Sequence, residues 1–167
     1  MALARLAILC AATALAACAP PPLKPVPPGA PGGLADDRSP LAEGNTDPRS
    51  AQGAAQVVQH YFALIEARRY RDAFRLWSAG GRSSRMTEDE FAASFNAYRE
   101  YHAQIGAPGP LEGAAGTIYV RVPVQVYGRL ANGRPFTRLV AVVLGRVNDV
   151  PGATAEQLRW RIYEIAG

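Results

Sequence analysis

Few residues of this chain are equipped for chemistry, and they are widely spaced. Its 167 residues include two histidines, His60 and His102, and two cysteines, Cys10 and Cys18. Both cysteines fall within the first eighteen residues, so the remainder can form no disulfide of its own. Two histidines without a cysteine beside them make a poor zinc site, and neither metal nor cofactor is expected. The glycine patterns that cradle phosphates or expose a nucleophilic serine do not occur. His60 adjoins the apolar side of a helical pattern, and His102 follows Tyr98 by four residues. A partly buried, hydrogen-bonded structural role is expected for both, ahead of a place in a pocket. No catalytic residue is assigned, and the chain reads as a non-enzyme.

Cys18 has a different setting. Arg5 precedes an apolar run from Leu6 to Leu15, about ten residues and within the ~7–15 of an export signal. That is short of the ~20 that span a bilayer. The run closes on Leu15-Ala16-Ala17-Cys18, which resembles the lipobox of bacterial lipoproteins. The resemblance implies that a signal peptidase recognises Leu15, Ala16 and Ala17 and cuts before Cys18. The thiol then carries a diacylglyceryl group, and the new amino group is acylated. Two or three acyl chains anchor a protein stably where one binds reversibly. Ala19, in place of an aspartate, points to the outer membrane, with the chain facing the periplasm. Residues 1–17 are thus read as signal peptide.

The rest of the chain must position any site. At 49% hydrophobic and 19% charged, it can build one ordinary core. The net charge of +4 comes without a dense basic run, so nucleic acid is not an expected partner. Residues 18–50 carry Pro20-Pro21-Pro22, Pro27-Pro28 and further prolines and glycines with no apolar period. They read as a disordered tether, whose polyproline reach at ~3.1 Å per residue is at most roughly 90 Å. A domain at 51–167 follows. Ala54, Val57, Val58, Tyr61, Phe62 and Ile65 mark one helix face, and Tyr70, Ala73, Phe74 and Trp77 a second, closed by Gly80-Gly81. Thr87-Glu88-Asp89-Glu90 is a capping box. It opens a third helix whose buried face is Phe91, Phe95, Tyr98, His102 and Ile105.

The period then becomes two. Ile118, Val120, Val122, Val124 and Val126 predict a half-buried strand, with Pro123 arguing for an edge or a bulge. Asn132-Gly133 is a hairpin turn signal. Residues 136–147 read as a central strand, and Leu158, Trp160 and Ile162 alternate with Arg159, Arg161 and Tyr163 in a last one. The class is α+β, with helices first and an antiparallel sheet after.

That order, with Tyr61-Phe62 and then Tyr70-Arg71-Asp72-Ala73-Phe74-Arg75-Leu76-Trp77, resembles the nuclear transport factor two-like superfamily. Its cone-shaped fold is shared by ketosteroid isomerases and SnoaL-type cyclases. The resemblance implies N-terminal helices packed on a curved antiparallel sheet, and enzymes that work inside the cone with an inward acid–base group. Here the inward register is apolar except for Arg138, Arg146 and Glu164 near strand ends. A membrane-tethered, non-catalytic envelope module for binding or scaffolding is therefore expected. The alternative is a small apolar-ligand binder or an isomerase-like enzyme using the cone interior. The outward face would gather Tyr119, Arg121, Tyr127, Arg159, Arg161 and Tyr163, residue types favoured at interfaces. The resemblance implies that this face pairs two copies, or takes an envelope protein.

Overall fold

A computed structural model describes residues 23–36 and 46–167. Leu15, Ala16, Ala17 and Cys18 lie outside them. Helix α1 (Ala51–Glu66) starts where Ser50 accepts a hydrogen bond from Gly53 N, and it buries Ala54, Val58, Tyr61, Phe62 and Ile65 as its spacing predicts. Arg68 reverses the chain at φ +58°, and α2 (Tyr70–Phe74) follows. A broken 3-10 stretch, Ser78–Ser84, then passes beneath the Phe74 ring. A Cβ on Gly81 would stand 2.0 Å from that ring, and its φ is +97°, so only glycine fits there. Helix α3 (Glu88–Ser94) carries the expected capping box, with Thr87 N donating to Glu90 Oε2 at 2.8 Å.

The third helix is shorter than its spacing predicts. It ends at Ser94, and after one 3-10 turn the chain runs as strand β1 (Tyr98–Ile105). A bulge interrupts this strand. Tyr98 pairs with Leu130 and Glu100 with Arg129, which leaves Arg99 as an extra residue. Tyr98 and Tyr101 therefore meet, their ring centroids 4.9 Å apart, while His102, expected on the buried face with Tyr98, turns to Glu66 and Tyr127. Opposite the bulge, a Cβ on Gly128 would stand 2.0 Å from the Glu100 carbonyl oxygen.

Strands β2 (Glu112–Ala114), β3 (Thr117–Leu130), β4 (Pro135–Val147) and β5 (Arg161–Ala166) complete an antiparallel sheet in the order β1-β3-β4-β5, with β2 on the far end of β3. The turn at Asn132-Gly133 joins β3 to β4 as predicted, Gly133 adopting φ +83°. Pro123 sits inside the sheet rather than at an edge. Its missing donor faces the gap between β1 and β2, where its carbonyl accepts from Gly106 N at 2.8 Å. Val120, Val122, Val124, Val126, Val142 and Leu144 are almost wholly buried against the helices. Each such side chain contributes on the order of 1.5–3 kcal/mol through burial. The α+β architecture, helices on a curved antiparallel sheet, is the one expected.

Two further departures bear on function. Leu158 and Trp160 precede β5, and a second bulge at Tyr163 pairs Val143 with Glu164 and Val142 with Ile165. Glu164 therefore leaves the inward register and Ile165 enters it. The other concerns the expected tether, of which residues 23–36 pack on the outer sheet face. Gln125, fully buried there, accepts from Val26 N at 2.6 Å and donates to the Gly32 carbonyl at 3.2 Å. Leu34 is 5% exposed, near Pro123 and Gly106. One leucine and one glutamine produce no period, so composition alone conceals this contact. Among the described residues no helix is long and apolar enough to cross a membrane.

Candidate functional site

Aromatic side chains occupy most of the space between helices and sheet, and a cavity remains beside β1. Phe62, Tyr61, Trp77, Phe91 and Trp160 are each under 9% exposed, and Phe95 packs beside them. Two phenols sit within this packing. Burial pushes the Tyr101 hydroxyl up to about 12, Tyr98 adds to the rise, and Arg138 opposes it. Burial, with Tyr101 nearby, raises Tyr61 as well. Both phenols are neutral near pH 7 and able to donate, but not to act as bases. Neither stands out in the sequence, where carboxylates and histidines are the groups sought for acid–base work. Tyr61 belongs to the helix stripe, and Tyr101 falls in a stretch whose spacing predicts a helix.

The histidines lie outside this packing. His102 is on β1, not on a helix; its Nδ1 is 2.6 Å from Glu66 Oε1, and its ring lies 5.4 Å from that of Tyr127. It is half-buried beside a cavity of about 290 Å³ lined by Ile65, Tyr70, Phe95, Tyr98 and Tyr101 among others. His60 is exposed on α1, contrary to the expected partial burial. It borders a larger groove.

That groove, about 630 Å³, runs between the first turns of α1 and the segment leading into β5. Local hydrogen bonds build both walls. Ser50 Oγ donates to the Asp47 carbonyl at 2.6 Å, which holds Pro48 and Arg49 at one lip. On the other side Thr154 and Gln157 cap each other, Thr154 N donating to Gln157 Oε1 at 2.9 Å. Val57, Leu76, Leu158 and Trp160 give the groove its apolar lining, and Arg49, His60, Arg159 and Arg161 stand around it. Arg146 is 5.3 Å from the Trp160 ring centroid, a cation–π contact that fixes the indole.

The six residues expected to share the outer sheet face are dispersed. Tyr119 and Tyr163 do meet, their rings edge to face at 5.4 Å over Gly145, where a Cβ would come within 2.8 Å of both. Arg121 is exposed on the same face, paired with the half-buried Val143, while the exposed Leu139 lies four residues further along, opposite Gln125. Tyr127 lies apart, against His102. Arg161 turns to the sheet margin, Nη1 donating to the Arg75 carbonyl at 3.1 Å and Nη2 meeting Glu156. Arg159 precedes the strand and joins the groove. The late start of β5 leaves Arg159 off the sheet, and the Arg75 carbonyl and Glu156 draw Arg161 to its margin; neither leaves a mark in a strictly alternating pattern.

No family model matches the chain, and no curated protein does so either. Solved structures similar to it in fold include a nuclear transport factor 2 (NTF2-like) superfamily protein from Salmonella enterica serovar Typhimurium. That one has 10% identity over 70% of this chain and 87% of the other, with a TM-score of 0.49. Aln2 from a Streptomyces species has 14% identity over 72% and 90%, with a TM-score of 0.45. An NTF2-like protein of unknown function from an Exiguobacterium species has 18% identity over 66% and 94%, with a TM-score of 0.36.

Proposed function

We propose that this chain is a membrane-tethered, non-catalytic binding or scaffolding module of the bacterial cell envelope, anchored through lipid on Cys18. The observation that supports a binding role over catalysis is the apolar interior. The inward valines carry no titratable group, and the phenols beside them are held neutral by burial. Recognition chemistry lies outside, in the groove beside α1 and in the Tyr119–Tyr163 pair on the sheet. The packing of residues 23–36 shortens the proposed tether. Val26 follows Cys18 by eight positions, so about 25–30 Å of extended chain separates lipid from domain, not ~90 Å. The module stays close to its bilayer.

The anchor is tested by Cys18→Ala, which should move the protein out of the membrane fraction or leave it unprocessed. A variant that is processed normally and resists a high-salt wash overturns the lipid anchor. Self-association through the sheet is tested by changing Tyr119 and Tyr163 together to alanine and sizing the protein by analytical ultracentrifugation. A monomer before and after the change removes the dimer from the proposal.

One observation favours a second reading. The His102–Glu66 pair, at 2.6 Å beside a cavity, has the form of a general base held in orientation by a carboxylate. Turnover of a small carbonyl substrate, lost in His102→Gln and reduced in Glu66→Gln, would establish that reading over the first.

A further inference from the structure

The groove beside α1 combines two features that the scaffold reading does not use. Its lining is apolar, and its surroundings carry more guanidinium than carboxylate. Asp149 serves both Arg49, at 3.4 Å, and the buried Arg146, at 3.5 Å. Glu156 likewise serves both Arg159, at 3.4 Å, and Arg161. Among the described residues, two carboxylates are thus divided among four arginines. A guanidinium presents a planar fork of donors that a carboxylate matches with two oxygens. Arg49 and Arg146 share the single Oδ1 of Asp149, and Arg159 and Arg161 have one oxygen each of Glu156, which leaves donor capacity over. Immediately below, the half-buried Val57, Leu76 and Leu158 offer apolar surface to whatever the arginines hold. At about 630 Å³ the space falls within the ~300–1,000 Å³ typical of small-molecule sites.

We propose that this groove binds a long-chain carboxylate, a fatty-acid-like single-chain amphiphile. Its carboxylate lies against Arg49 and Arg159, the two rim arginines most open to solvent, and its tail runs over Val57, Leu76 and Leu158. A flexible apolar chain suits an open trough, because each methylene buried there contributes independently and no rigid shape has to be matched. The head alone binds weakly, since exposed guanidinium–carboxylate pairs in water contribute little. The tail alone lacks the charge match. Selectivity for an anionic amphiphile over a cationic one of equal length is the signature of this arrangement. The proposal stands whether or not Cys18 carries lipid.

The test uses the full chain carrying Cys18→Ser, so that it is unacylated and needs no detergent. Isothermal titration calorimetry with laurate below its micellar concentration should give saturable binding at one site per chain. Dodecyltrimethylammonium, with the same tail and the opposite charge, should bind at least about tenfold more weakly, and acetate should show no saturable binding. Changing Arg49 and Arg159 together to Gln should weaken laurate by about tenfold or more. Ala155 is exposed on the turn lining the groove, so Ala155→Trp fills the space without touching the core. That variant should keep its melting temperature and lose laurate. Absence of saturable laurate binding overturns the proposal. So does equal affinity for the cationic amphiphile, or unchanged laurate affinity in folded Ala155→Trp or in the double arginine variant.

Discussion

Replacing Leu34 with alanine tests whether residues 23–36 belong to the folded domain or merely precede it. Leu34 is 5% exposed and lies over the gap between β1 and β2, near Pro123 and Gly106. Leucine-to-alanine changes at buried positions cost ~2–5 kcal/mol, least where the surroundings can collapse into the space. One side of this site is a surface segment able to do that, so the low end applies, about 2 kcal/mol. The loss falls on the docking of the segment and not on the whole fold, because the segment can lift while the sheet stays intact. The amide of Val26, which donates to Gln125 Oε1, reports docking directly. Native-state hydrogen exchange at that amide should accelerate about thirtyfold in Leu34→Ala, the factor equivalent to 2 kcal/mol. Amides in the β3–β4 ladder should be unaffected. If Val26 exchanges at the rate of an unstructured peptide in the unaltered chain, the segment is not docked. If the ladder loses protection by the same factor as Val26, the segment does not open separately and the local argument fails.

Gly128→Ala should destabilise the domain by several kcal/mol. Its new Cβ would stand 2.0 Å from the Glu100 carbonyl oxygen, and neither backbone at the bulge can yield cheaply; denaturant unfolding checks this, and a loss under 1 kcal/mol would contradict the close approach. Thr87→Ala should cost about 1 kcal/mol by removing a helix cap, read as a shift in denaturation midpoint without a change in slope. Stability should also fall at high pH. The Tyr101 hydroxyl titrates near 10 when unfolded and is pushed up to about 12 when folded. Its stabilising contribution is therefore whole below pH 10 and lost as pH rises toward 12, on the order of 1.4 kcal/mol per pH unit over that window. Tyr61 acts in the same direction. Tyr101→Phe should flatten the decline between pH 10 and 12, and an unchanged slope would mean the phenol is not excluded from water.

The sequence by itself determined the helices that pack on the sheet and the hairpin at its centre. The α1 stripe, the Thr87 capping box, the Asn132-Gly133 turn and the valine alternation of β3 are local codes, each legible within about a dozen residues. Tertiary structure decided everything that depends on an irregularity or on a distant partner. A bulge at Arg99 put Tyr98 and Tyr101 on one face and left His102, four residues after Tyr98, on the other. Another at Tyr163 removed Glu164 from the interior register and brought Ile165 into it. The late start of β5 sent Arg159 to a groove instead of to the sheet face. The His102–Glu66 pair joins residues 36 positions apart, and the contact of Gln125 with Val26 joins residues 99 apart. No periodicity encodes such meetings. Periodicity reports which side of an element is apolar, whereas the pairing of one side chain with another is settled only when the sheet has closed its register and the helices have filled it.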